Sequence, residues 1–243
     1  MLGKTFNTLA FLLYLPLLCF AGQGDVVPEY DDEIVVRLDT DSKLLPLYLA
    51  HLYQGEADLP KQYIRSLEKV LRFDLGNNGS TVVVPHSVRK EEQANKEGFD
   101  GNYARGVWNS LDVAYVVKVR IRDKKLSAEV FAVKDGEVKS IRDVPLSGKL
   151  DNDRRRIHQL ADSIHKAFFG VDGIASTRIM YALKHRNNNT DSYQWTSEIW
   201  EADYDGGNAH QLTHEGGYCV TPTYLPPKPG FSSGGFFYVS YRM

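Results

Sequence analysis

Two histidines four residues apart, a serine set between glycines and a pair of aspartates before a glycine are where this sequence could do chemistry. Gly230-Phe231-Ser232-Ser233-Gly234 spells G-x-S-x-G, the turn that presents a nucleophilic serine in many hydrolases. That turn works where a strand enters and a helix leaves, because the sharp bend exposes the hydroxyl. Here Pro226-Pro227-Lys228-Pro229 enters and the β-prone run Phe236-Phe237-Tyr238-Val239 leaves, so the setting is loop and then strand. His210 and His214, with Glu215 next, have zinc-ligand spacing for a helix, but Gln211-Leu212-Thr213 between them is strand-like. Solvated loop histidines explain the pair. His158 and His165 lie beside the apolar stripe of one helical stretch and read as boundary residues. Asp203-x-Asp205-Gly206 opens like a calcium loop but lacks the later acids, so turn formation explains it better. Asn78-Gly79-Ser80 and Asn188-Asn189-Thr190 spell glycosylation acceptors and read as turns. No catalytic residue, metal ligand or cofactor is nominated, and binding is the activity left to place.

The elements that must present a binding surface follow from the chain. Its 243 residues are 42% hydrophobic and 25% charged, the composition of a folded protein large enough for one core or two modest ones. A formal net charge of −2 gives no electrostatic footprint for nucleic acid. The dense basic cluster Arg154-Arg155-Arg156 reads as the solvated first turn of a helix. Residues 1–21 carry Lys4, the apolar run Leu9 to Phe20 and Ala21, the parts of a cleaved secretory signal peptide. Cleavage would remove Cys19 and leave Cys219 alone, so no internal disulfide is possible and packing must stabilise the chain. That suits a bacterial periplasmic protein.

Residues 22–42 form an N-terminal extension, with a short β-rich run Glu33-Ile34-Val35-Val36-Arg37-Leu38-Asp39. Leu44 to Leu52 is apolar around Pro46, and periodicity alone leaves strand and helix both open. Asp58 and Pro60 announce a helix whose face is Ile64, Leu67, Leu71 and Leu75, stopped by Gly76 to Gly79. Thr81 to Val84 is a compact strand, and residues 86–106 are the least ordered by composition. Alternation from Val117 to Arg122, then Leu126 to Ala132 and Val138 to Ile141 after Asp135-Gly136, predicts an antiparallel meander with one wet face. Asp151 to Asp153 offer caps for a helix with the stripe Ile157, Leu160, Ala161, Ile164 and Phe168, ended by Gly170. Residues 43–172 thus read as an α+β domain, two helices on a mixed sheet. Residues 173–243 read as a second, all-β domain.

In that second domain Glu198 to Asp203 is a strand, Asp205-Gly206-Gly207-Asn208 a turn, Gln211-Leu212-Thr213 a short strand, and Val220 to Tyr224 and Phe236 to Tyr241 two more. One repeat of a small sheet is visible in this order. It resembles the repeat of the TolB family, the periplasmic propeller component of the Tol-Pal system. The resemblance rests on Asp205, Gly206, Asn208, Leu212, Thr213 and Pro222, with Tyr224 at the usual Trp position. Leu71 to Leu75 before Gly79 matches the family's helix-then-strand region, and its buried first strand favours a strand around Pro46.

The resemblance implies a fold and a role. The fold would be the α+β domain followed by an incomplete all-β six-bladed propeller, its ring closed by sequence beyond residue 243. The role would be non-enzymatic, in outer-membrane integrity and in constriction at division, without direct membrane contact. The propeller would dock the Pal lipoprotein, and the extension Glu33 to Asp39 would contact TolA by adding a strand to its sheet edge. The rival reading is a fragment of a secreted propeller-containing peptidase.

Overall fold

The computed structural model describes residues 43–54, 59–186, 195–226 and 234–241, all in one compact unit, Ser42–Met243. The signal segment 1–21, the extension with Glu33 to Asp39, Asp58, Asn188, Asn189 and Ser232 lie outside the described residues.

The first sheet holds β1 (Leu45–Leu49), β2 (Tyr53–Gln54), β3 (Thr81–Val83), β4 (Tyr115–Arg122), β5 (Lys125–Ala132) and β6 (Glu137–Pro145). Their order is β3-β1-β4-β5-β6, with β2 also on β4. β1 runs parallel to β3 and to β4, whereas β4, β5 and β6 are antiparallel, so the sheet is mixed as expected. Asp123 and Lys124, at φ 50 and 55, form the left-handed pair that a two-residue hairpin uses. Gly136, at φ 73, closes the next turn by donating to the Ala132 carbonyl at 2.8 Å. The ambiguous run around Pro46 is a strand, and Leu47, Tyr48 and Leu49 are all buried because helices cover both faces.

On one face lie α1 (Lys61–Gly76) and α4 (Leu150–Phe169). Leu67, Leu71, Ile157, Leu160 and Ile164 pack there against Leu47, Leu49, Val117, Val119 and Val130. Gly170 ends α4 at φ 73, as its position predicted. The N-terminus of α4 differs from expectation: no side chain caps it at Lys149. Asp153, a turn inside, reaches back to the N–H groups of Ser147 and Gly148, each at 2.8 Å, and accepts from the Tyr63 hydroxyl at 2.7 Å.

The opposite face corrects two expectations. Residues 86–106 are not irregular, because α2 (Val88–Glu97) and the start of α3 (Arg105–Ser110) fall in them. The sheet therefore carries helices on both faces, not two helices alone. Nor is the second face of the meander wet throughout: Lys118 is 5% exposed and Glu129 2%, while Arg122, Ser140 and Arg142 on that face stay exposed. Composition misled here because the charges pair with each other. Lys118 Nζ lies 2.9 Å from Glu97 Oε2, and the buried Trp108 donates its Nε1–H to Glu97 Oε1 at 2.9 Å.

The second sheet comprises β7 (Arg178–Arg186), β8 (Trp195–Asp203), β9 (His210–Gln211), β10 (Tyr218–Tyr224) and β11 (Phe236–Tyr241). Its order is β11-β10-β8-β7, with β9 on β8. The expected strands form, and β8 and β10 share one sheet through the pair Tyr218–Ser197. Thr213 explains the Leu-Thr pair. Its hydroxyl accepts the Ile199 N–H at 2.9 Å and donates to Glu198, carrying on the ladder beyond β9. Pro222 sits where the β10–β11 register shifts between Val220 and Thr223, a bulge that does not need its missing N–H. Among the described residues the sheet is open along β7 and β11, and Phe237 and Tyr241 on β11 are 66% and 59% exposed. Asp162 on α4 accepts from Ala175 N–H at 2.7 Å and Ser176 N–H at 2.9 Å, tying the segment that leads into β7 to the helix. Gly173 has no room for a side chain there, because a Cβ would fall 2.2 Å from Asp162 Oδ1. Among the described residues no helix is long and apolar enough to cross a membrane.

Candidate functional site

The loop after β8 folds back on α4 and α1, and charged side chains from both parts of the chain are buried together at this seam. The loop has its shape from its own residues. Asp205 Oδ1 accepts the Gly207 N–H at 3.0 Å, Gly206 takes φ 79 and Asn208 φ 51, conformations that glycine and asparagine tolerate. Asn208 Nδ2 then donates to Asp203 Oδ2 at 2.6 Å and reaches the Asp151 carbonyl at 3.4 Å. Tyr204 donates to the Asn77 carbonyl at 2.7 Å and meets Phe73 edge-on, with ring centroids 5.9 Å apart.

At the centre, the Arg154 guanidinium donates to both carboxylate oxygens of Asp205. The approach is close enough that a Cβ on Gly207 would lie 1.9 Å from Arg154 Nη2. Arg154 is thus no solvated residue, since α4 turns it toward the loop. One turn on, His158 is 2% exposed and corrects its reading as a boundary residue. Its Nδ1 is 2.8 Å from Asp74 Oδ2, while Nε2 faces Asp203 at 3.8 Å and Asp205 at 3.9 Å.

Burial works against a charged His158, but Asp74 first, then Asp205 and Asp203, outweigh it and hold the imidazole above its ordinary value. Burial pushes Asp74 up against the pull of His158. With three carboxylates around one imidazole, the shared proton sits on His158. Asp205 is held below the carboxylate range: burial opposes this, but the Gly207 N–H and Arg154 prevail. Beside the seam opens a cleft of 730 Å³ whose lining includes Asp151, Arg155, Arg156, Arg178, Glu201 and His210.

The Asp74–His158 pair has the form of an oriented base, but its free nitrogen faces carboxylates where a nucleophile would have to stand. His158, Asp203 and Asp205 are close enough to share a metal ion, yet the Arg154 guanidinium already takes that carboxylate charge. The arrangement clamps a loop to a helix.

Of the residues expected to matter, Asp205, Gly206 and Asn208 lie in this seam; Leu212, Thr213 and Pro222 serve the second sheet, and Glu33 to Asp39 fall outside the described residues. His210 Nδ1 lies 3.1 Å from the Asn208 carbonyl, and among the described residues it shares no ligand cluster with His214. The sequence reading missed Asp74, Arg154 and His158 as a group. The four-residue spacing of Arg154 and His158, on one face of α4, was the available signal.

No family model matches the chain. It is 44% identical over 213 residues to a TolB homolog of Protochlamydia amoebophila, covering 87% of this chain and 45% of that protein. It is 26% identical over 220 residues to a TolB homolog of Chlamydia caviae, covering 89% and 45%. Among solved structures, TolB from Acinetobacter baumannii superposes with a TM-score of 0.55 at 18% identity, over 75% of this chain and 41% of that one, a likeness of fold. The chain spans a little under half the length of these relatives.

Proposed function

Because the chain belongs to the TolB family, we propose that it is a component of the Tol-Pal system, acting in the periplasm through protein contacts and without turnover. The observation that carries this reading is the 44% identity to the Protochlamydia amoebophila TolB homolog. In this reading β7 to β11 begin a propeller, and the open edges of the second sheet, with Phe237 and Tyr241 exposed on β11, support it. The seam supports a contact role, since its charged groups are engaged in joining α4 to the blade loop. Pal is the partner of the propeller strands, and TolA the partner of the extension Glu33 to Asp39. Residues 1–21 direct export, and the work done is maintenance of the envelope and its constriction at division.

The test is capture of the complete gene product by immobilised soluble Pal from the same organism. Retention at micromolar concentration supports the reading. A folded protein that passes through unretained removes the Pal contact, and labelling of Ser232 by a serine-hydrolase probe removes the non-enzymatic assignment.

A further inference from the structure

β1 and β3 are adjacent parallel strands, and the chain leaving each of them carries a histidine to the same place. His51 follows β1 and His86 follows β3, and their rings stack with centroids 3.8 Å apart at 15°. α1 brings Glu68 and Arg72 to this point, and α2 brings Glu91. His51 Nδ1 lies 3.0 Å from Glu68 Oε1, His86 Nε2 3.6 Å from the same oxygen, and His86 Nδ1 3.7 Å from Glu91 Oε2. The space outside the carboxyl ends of neighbouring parallel strands is where open sheets gather ligands.

We propose that His51, His86 and Glu91, with Glu68 at the edge, form a binding site for one divalent transition-metal ion of the zinc class. Ligand atoms of His51, His86 and Glu91 lie within 4.8 Å of one another, so short side-chain movements bring them onto one ion. Two imidazoles and a carboxylate suit zinc and its neighbours, whereas calcium and magnesium favour oxygen alone. The carboxylates are held from behind as metal-ligating carboxylates are. Glu68 Oε2 accepts the Leu52 N–H at 3.2 Å, Glu91 Oε1 accepts the His51 N–H at 3.3 Å, and the Tyr48 hydroxyl donates to Glu91 Oε2.

Two side chains must move. The His51 ring, on a side chain 58% exposed, turns out of the stack, because parallel rings cannot aim their lone pairs at one ion. Arg72 presses its guanidinium against His86 Nε2, 3.7 Å from Glu68, and is the cation that the metal displaces.

The experiment is calorimetric titration of the tag-free chain with zinc chloride, repeated with cobalt(II), whose visible absorption reports the coordination geometry. One ion binds per chain. His51→Ala and His86→Ala each weaken binding by more than about 100-fold, beyond the roughly 10–100-fold that removal of a supporting group costs. His51 is exposed, so its replacement leaves the fold intact, and the His210→Ala/His214→Ala double variant binds as the parent does. Arg72→Met tightens binding by removing the competing charge. Absence of saturable binding, binding indifferent to both His51→Ala and His86→Ala, or binding lost in Arg72→Met overturns the site.

Discussion

Under α2, Lys118 and Glu97 meet at 2.9 Å with side chains 7% and 3% exposed, both belonging to the first sheet and its cover. Between α4 and the loop after β8, Arg154 meets Asp205 with side chains 15% and 9% exposed, and here the pair joins two sheets. The first network is complete. Lys118 also donates to the Gly98 carbonyl at 2.9 Å, and Glu97 accepts from Trp108 and from Ala104 N–H at 2.8 Å. In the second, Arg154 Nε, His158 Nε2 and Asp74 Oδ1 are buried without a hydrogen bond among the described residues. A fully satisfied network fixes one arrangement, while a partly satisfied one leaves its groups less firmly held. The same ion-pair chemistry therefore locks a helix onto a sheet in one region and makes a looser joint in the other, where the layers part first.

The comparison breaks most severely at Lys118. Lys118→Met strands the Glu97 carboxylate in the interior and destabilises the chain by about 3–5 kcal/mol in urea unfolding. Arg154→Ala costs less, about 2–3 kcal/mol, because Asp205 keeps the Gly207 N–H and is nearer to water. Its loss shows as faster proteolysis between Val171 and Thr177, and Asp205→Asn recovers part of it in a double-mutant cycle. Gly207→Ala forces the guanidinium aside and costs about 1–2 kcal/mol, an effect that disappears when Arg154 is already alanine.

The smallest effect separates the two regions by pH. The folded value of His158 is raised, so its contribution is fully present below its unfolded value of about 6.5 and is lost as pH rises through the folded one. Asp205 is depressed, so its contribution holds above about pH 3.9 and is lost as pH falls through the folded value. His158→Gln removes the alkaline loss from a stability profile, and an unchanged profile would show that the imidazolium does not support the joint.

The strands and long helices were legible because their apolar residues repeat at periods of two and 3.6, as in Val117 to Ile121 and Ile157 to Ile164. The loop Asp205 to Asn208 was legible because its backbone needs those residue types whatever surrounds it. α2 was not, since its few apolar residues, Val88 and Ala94, carry no long stripe and the charges around them find partners far along the chain, whereas Val107, Trp108 and Leu111 already read as one amphipathic turn where α3 lies. His158 escaped for a similar reason. Its partner Asp74 is 84 residues away, and no local pattern records a pair formed by packing two helices.

Cys219 lies within β10 with no solvent exposure, its thiol pushed up by burial. A protonated sulfur shut inside a sheet meets an alkylating reagent only while β10 is lifted from its neighbours. The rate at which Cys219 acquires an alkyl tag, followed by peptide mass, is a clock for the breathing of the second sheet. Any strand that comes to rest along β11 slows that clock.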